Sequence, residues 1–243
     1  MKNKSIHSLV AAVLVAGFLS GNVHAQNPAT VSVSADVVSS FVWRGSLFPG
    51  FDGVNIQPAL VVSKGGVFGG AWGSGTIDGE AKQVDLFLGY SSGGFTAKVT
   101  DYWFGGKYFE YGKNTSGHLF EGTVAYNFGE RFPLSLSWNT IFHGSGDLKP
   151  DGDKRYSTYI ELGYATQLKE ISLDFAVGLS PWNSNLYHAD SNGLLTNGAK
   201  VSNLSVKATK KVQITDSFTL PVFAQLVVNP TREDVNFVVG FSL

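Results

Sequence analysis

The last nine residues of the sequence, Val235-Asn236-Phe237-Val238-Val239-Gly240-Phe241-Ser242-Leu243, carry a large apolar side chain at every second position. Side chains of an extended strand point alternately to its two faces, so Val235, Phe237, Val239, Phe241 and Leu243 share one face. A soluble domain seldom spends its last residues on a bare amphipathic strand, because termini fray. The closing strand of a transmembrane β-barrel has this pattern by necessity, with one face in lipid and the other in the lumen.

The rest of the chain repeats the pattern. Val33, Ala35, Val37, Phe41 and Trp43 alternate with Ser32, Ser34, Asp36, Ser40 and Arg44 in a first run from Val31 to Trp43. Ile56, Leu60 and Val62 oppose Asn55 and Gln57, and Val84, Leu86, Leu88 and Tyr90 oppose Gln83 and Asp85. Ala97, Val99 and Trp103 oppose Lys98, although Asp101 then falls on their apolar face. Phe120, Val124 and Tyr126 oppose Glu121, Ile160 and Leu162 oppose Glu161, Leu173 and Phe175 oppose Asp174, and Val206 opposes Lys207. The Gly-rich run 67–77 does not declare its faces.

Twelve such runs of about 9–12 residues are predicted, close to the ~9–11 that cross a bilayer at a tilt. Bacterial single-chain barrels have even strand numbers. The connections near 64–66, 91–94, 129–133, 166–170 and 211–217 are short. Those near 45–54, 105–117, 144–155 and 181–199 are longer and polar, and two more at that end, 78–81 and 230–234, are short. This is the asymmetry of periplasmic turns and external loops. The expected fold is all-β, a transmembrane antiparallel up-and-down β-barrel of about 12 strands.

Residues 1–25 have the form of a secretory signal peptide: Lys2 and Lys4, an apolar Leu9 to Leu19, and Val23-His24-Ala25 before the cut. The barrel domain is then 26–243, in the bacterial outer membrane. No Cys is present for lipid attachment or disulfides. Two of the 18 Lys and Arg residues lie in the leader, so 16 basic side chains face 19 acidic ones beyond it, a net charge near −3. That is too mild to imply nucleic acid. Aromatics gather at run ends, Trp43, Trp103, Phe104, Phe142 and Tyr156 at one and Tyr90, Phe95, Phe128, Tyr164 and Phe218 at the other, as two interfacial girdles require.

The charged residues on the polar face define the expected lumen: Asp36, Asp85, Glu121, Glu161 and Asp174, with Lys98, Lys207 and Arg44, and the amide of Gln57. Five acids against three bases favour cations if the lumen is open; paired across a narrow barrel, the same groups hold it shut. No cofactor or metal is expected. The loop carrying Asp147, Asp151 and Asp153 lacks the spacing of an EF-hand and reads as solvated. His118, with Ser116 two residues before it, and His143, with Ser145 two after, lie near the long-loop end with His188. Without an orienting acid they read as loop histidines rather than a lipid-cleaving dyad, and no enzyme is expected. Trp182 and Tyr187 in the longest loop either bind a partner or fold inward as a constriction.

Phe41-Val42-Trp43-Arg44-Gly45, Gln57-Pro58-Ala59, Gly70-Ala71-Trp72-Gly73-Ser74, and Val84-Asp85 with Gly89-Tyr90 together resemble the TorF-type porins over about residues 37–90. The resemblance implies an outer-membrane barrel with a channel role and supplies no catalytic residue or substrate. Its two charged matched positions, Arg44 and Asp85, are expected to pair or to line a constriction. The expected function is passive passage of small solutes or ions. The expected partners are outer-membrane lipid, lipopolysaccharide and, through the C-terminal strand, the barrel-insertion machinery. Outer-membrane barrels usually end in Phe, and the terminal Leu243 departs from that while keeping the apolar character. The alternatives are a closed-lumen structural or surface-binding barrel acting through its external loops, a lipid-modifying barrel enzyme, and a soluble periplasmic β-sandwich.

Overall fold

The computed structural model describes residues 28–111, 117–190 and 192–243. The leader, the cut site, Ser116 and the rest of 112–116 lie outside them. The chain forms β1 (Thr30–Val38), then a small hairpin of β2 (Val42–Trp43) and β3 (Ser46–Leu47). Eleven longer strands follow: β4 (Asn55–Lys64), β5 (Val67–Thr76), β6 (Lys82–Ser92), β7 (Phe95–Trp103), β8 (His118–Asn127) and β9 (Leu134–Gly144). After a 3-10 turn at Ser145–Asp147 come β10 (Thr158–Leu168), β11 (Ile171–Ser180), β12 (Lys200–Thr215), β13 (Phe218–Asn229) and β14 (Asp234–Ser242).

All the longer strands pair antiparallel with their neighbours, and β14 returns to β1, so twelve strands close one barrel. This is the expected fold, and the single closed sheet overturns the two-sheet sandwich. Tight turns at Gly65-Gly66 and Gly93-Gly94 join their strands with positive φ at both residues, the geometry that matches strand twist. The long connections all lie at the opposite end from both termini.

The two faces sort as the alternation requires. Leu60, Leu88, Val124, Leu162, Phe175 and Phe237 are exposed on the outside, and Gln57, Asp85, Lys98, Glu121, Asp174 and Lys207 are buried inside. Tyr90, Phe95, Phe128, Tyr164 and Phe218 form an exposed aromatic band at the terminus-bearing end. At the other end Phe142 and Tyr156 are exposed, but Trp43 is 4% exposed and Phe104 packs inward against the buried aromatic cluster, so neither of these two is a girdle residue. The Gly-rich β5 turns Trp72 and Ser74 inward, since their register partners Asp85 and Gln83 face the lumen.

The first strand departs most from expectation. It ends at Val38 rather than Trp43, and residues 39–54 bend into the lumen as the β2–β3 hairpin and its flanks. The alternation Val37, Phe41, Trp43 hides the break at Ser39-Ser40. Inside, Phe41 meets Phe51 and Trp72 at ring-centroid distances of 5.4 and 5.3 Å, and Trp43 meets Tyr102 at 5.5 Å. These contacts bury more apolar surface than a place on the rim would.

The early exit of β1 leaves a short closing seam. β1 aligns nine residues with β4 but only Asp36, Val37 and Val38 with β14. Ala35 and Leu243 add two backbone hydrogen bonds, of 3.2 and 2.8 Å, and the Ser39 N–H donates to Val239 O at 2.8 Å. Deleting Phe241–Leu243 removes two of the three aligned pairs and both Ala35 bonds. The truncated protein is expected to lose the compact, heat-modifiable band on unheated SDS gels. A full-strength compact band after truncation would show that the seam does not close the barrel.

Candidate functional site: a polar lock inside the barrel

The inward hairpin turns at Arg44 and Gly45, with φ of 51° and 85°. Two consecutive positive φ values are those of the tight hairpin turns that suit twisted strands. Glycine adopts them freely, whereas arginine in the left-handed region costs about 1–2 kcal/mol. Gly45 is also required by space. Its backbone lies so close to the carbonyl of Ser202 on β12 that any Cβ would overlap it. Asn229 at the end of β13 donates to Gly45 O at 3.0 Å and ties the turn to the wall.

Arg44 pays for its strained backbone with its side chain. Its guanidinium forms a two-point ion pair with Glu121 of β8, Nη1 to Oε2 at 2.6 Å and Nη2 to Oε1 at 2.9 Å. Nη1 also donates to the Tyr187 hydroxyl at 2.6 Å. The plane of the cation lies against two rings, with Cζ 4.5 Å from the centre of Trp43 and 4.8 Å from that of Tyr159. Glu121 is 1% exposed and accepts two more bonds, from the Tyr102 hydroxyl at 2.9 Å and from Thr123 at 3.3 Å. Both charges are therefore met by opposite charge and hydrogen bonds, which is what allows a buried pair to persist.

Aromatic residues close around the pair. Phe41, Trp43, Phe51, Tyr102, Leu119, Ile141, Tyr159 and Tyr187 form one buried cluster inside the barrel. Tyr159 lies over Gly178 of β11, where a methyl group would collide with its ring. Its hydroxyl donates to Glu161 and accepts from Asn203 at 3.0 Å. The lumen is thus filled at this level by a loop from one side and Tyr187 of the longest loop from the other. Below the hairpin a chamber of about 40 Å3 remains, walled in part by Lys98, Asn139, Glu161, Asn203 and Gln225. At ~10–15 Å3 each, that is room for a few waters.

The expected lumen residues divide accordingly. Arg44, Glu121 and Glu161 belong to the lock or its edge. Lys98 is 9% exposed, faces the chamber, and lies 5.9 Å from the centre of the Phe87 ring. Asp85 does not pair with Arg44: it is fully buried and accepts two bonds from Gln83, at 2.8 and 3.0 Å. Of the two expectations for Arg44 and Asp85, the pairing is corrected to Arg44–Glu121. Glu121 stands on the wall where the hairpin tip arrives, and the two positions are 77 residues apart. Gln57 donates to Ser74 at 3.2 Å. Asp174 and Lys207 are aligned neighbours on β11 and β12, and Lys207 Nζ sits 3.7 Å from the centre of Phe223. Asp36, on β1 opposite Gln57, completes this lower ring.

The loop residues separate as well. Tyr187 turns inward and is 2% exposed, while Trp182 stays outside and donates to Tyr156 O at 2.9 Å. Asp147 is buried and accepts the Ser157 N–H at 2.9 Å. His118 does have an orienting acid, since Asp101 meets its Nδ1 at 2.7 Å on the outer face of the wall. This resolves the position of Asp101. Nε2 of His118 contacts Tyr108 O at 2.6 Å, so both ring nitrogens are engaged. Sequence reasoning missed Trp43 as a lumen residue, because its spacing from Val37 is that of the outward face and only the break at Ser39-Ser40 marks the inward turn. Tyr159 shares the inward face of Glu161 and Tyr102 that of Lys98 by alternation, but neither stood out as a site residue.

No known protein-family profile matches the chain, and no curated protein does. Among solved structures it is similar to the crystal structure of an outer membrane channel from Pseudomonas putida F1, at 13% identity and a TM-score of 0.40 over 89% of this chain and 95% of that one.

Two measurements test the lock. Gly45→Ala forces the turn off Ser202, so Arg44 is expected to become open to trypsin. A fragment ending at Arg44 should appear by mass spectrometry in the variant and not in the wild type. Its absence from the folded variant would mean the turn tolerates the methyl group. The second concerns His188, beside Tyr187. Burial holds its pKa below the ordinary imidazole value, helped by repulsion from Lys200 and Arg155, while its Nδ1 bonds to Thr196 O. A depressed pKa contributes stability above the ordinary value and loses it as pH falls through the folded one. From about pH 7.5 to about pH 5, amide exchange over residues 182–190 should therefore speed up relative to intrinsic rates. His188→Asn should remove that acid sensitivity, and a wild-type loop equally protected at both values would refute it.

Proposed function

We propose that the chain is an outer-membrane channel that rests closed, and that small solutes or ions pass it passively when the inserted segment 39–54 withdraws. The observation that carries this reading is what closes the lumen. The obstruction is a loop tip and one tyrosine from a second loop, held by hydrogen bonds, one ion pair and the ring contacts of Phe41, Trp43 and Phe51, and none of it is a strand of the closed barrel. Its part from Ser40 to Gly53 can leave without breaking a rung of the wall, the Ser39–Val239 bond staying in place. The polar wall beneath also favours a water path, because a barrel that never opened would be more cheaply filled with apolar side chains. The outward apolar face, the aromatic band and the leader-like N-terminus support the outer membrane, with lipid and lipopolysaccharide around it and β14 as the segment read by the insertion machinery. Five acids against three bases along the lumen support a preference for cations once it is open.

A second reading is a permanently closed barrel acting through its external loops. It is favoured by the small volume of the chamber, about 40 Å3.

Conductance separates the two. Glu121→Gln leaves the Arg44 charge buried without its counter-ion, a loss of about 3 kcal/mol or more to the closed arrangement. That is roughly a hundredfold in the open-to-closed ratio. In planar bilayers the wild type should show rare openings, and Glu121→Gln and Arg44→Ala frequent ones with cation selectivity. Silence from variants that remain folded and heat-modifiable would sink the channel reading and leave the closed barrel.

A further inference from the structure

Above the lock, at the long-loop end, the barrel mouth holds a second cavity of about 500 Å3. Its lining is of a different kind from the lumen below. Phe48 and Phe51 come from the inserted segment, Phe104 and Leu119 from the wall, and Leu186 from the longest loop. Glu80, on the connection between β5 and β6, and Lys82, which opens β6 and lays its ammonium 5.5 Å from the Trp103 ring, are its two charged lining residues.

We propose that this cavity is a binding site for a small neutral apolar solute, a single aromatic ring with at most one uncharged polar group. The volume lies within the ~300–1,000 Å3 of small-molecule pockets. The two charged lining residues are of opposite sign and both exposed, so an ion entering it would lose water and gain no buried counter-charge. The rings supply edges and faces for a further ring: Phe48 and Phe104 are 6.4 Å apart between centroids, within the range of aromatic pairs. The floor of the cavity is the lock itself, since Phe48 touches Trp43 at 5.9 Å and Phe104 touches Tyr102 at 6.3 Å. A solute seated here is separated from the ion pair by Trp43, which meets Arg44, and Tyr102, which meets Glu121. The site names the class of solute for the channel reading, and as a capture site it rests on that reading, but binding itself does not require that current ever flow.

The test uses 4-fluorobenzyl alcohol and fluorine NMR on the full barrel in lipid nanodiscs, with empty nanodiscs subtracted. Saturable line broadening is expected. Phe48→Ala combined with Phe104→Ala should weaken binding about tenfold or more. Ala81→Trp, which fills the cavity without removing its walls, should abolish binding and guards against a misfolded double variant. Phe109→Ala, at an outer side chain 87% exposed, should change nothing. 4-Fluorobenzoate and 4-fluorobenzylamine should bind about tenfold more weakly. The proposal is overturned if empty nanodiscs account for all the broadening, if Ala81→Trp binds as the wild type does, or if the charged analogues bind equally well. Failure of binding bears on the cavity, whereas failure of the bilayer experiment bears on the channel.

Discussion

A carboxylate with almost no exposure must be neutralised where it stands, and Glu121 is such a group. β8 presents it to the inside of the barrel, and the cation that meets it comes from a loop on the far side of the closing seam. For Arg44 to arrive, the chain after β1 has to abandon the wall, turn twice through positive φ and cross to β8. Much of what is unusual about the upper barrel follows from that one encounter. It accounts for the short first strand and for a glycine that fits only without a side chain. It also explains why Tyr102 and Tyr187 point their hydroxyls at one ion pair.

The wall and the lock differ in how they are held. The wall is a continuous ladder of backbone hydrogen bonds, each rung set by its neighbours, with an apolar face outward and a polar face inward. The lock is made of side chains from segments far apart in sequence. Its parts share Glu121: the guanidinium, the Tyr102 hydroxyl and Thr123 all converge on its two oxygens. Groups that share a partner in this way are coupled, so loss of one weakens the others by more than its own bond. A structure with a cooperative ladder outside and a cooperative knot inside has two levels of stability, and the inner one can give way while the outer holds.

The wall was legible in the sequence because a period of two is a local property. Leu86, Leu88 and Tyr90 announce their face without reference to any other strand. The inward or outward sense of Asp85, Lys98, Glu121, Asp174 and Lys207 came from the same rule. The lock was legible only in its composition. Arg44 stood out as a charge beside an aromatic and a glycine, but its partner is fixed by where a hairpin tip lands, and Asp85 was as good an acid on local grounds. Trp43 shows the limit most plainly. Its spacing from Val37 is right for the lipid face, and the wall residue that meets its ring inside, Tyr102, lies far along the chain on β7. Asp101 failed in the opposite way: it broke the apolar face, and the histidine that accounts for it lies on the neighbouring strand behind a loop.

The seam between β1 and β14 carries one more consequence. Every other contact between neighbouring strands joins residues near in sequence, so the sheet can grow hairpin by hairpin. The closing contact joins Ser39 to Val239, 200 residues apart. It is the costliest loop to close and offers only three aligned pairs in return. Closure therefore comes last, after the other eleven pairings have curved the sheet far enough to bring its margins together. The inserted segment leaves β1 at the very residue where this clasp ends. The clasp that seals the cylinder and the segment that fills it thus meet at one point of the chain, so the seam fixes where the filling enters the lumen.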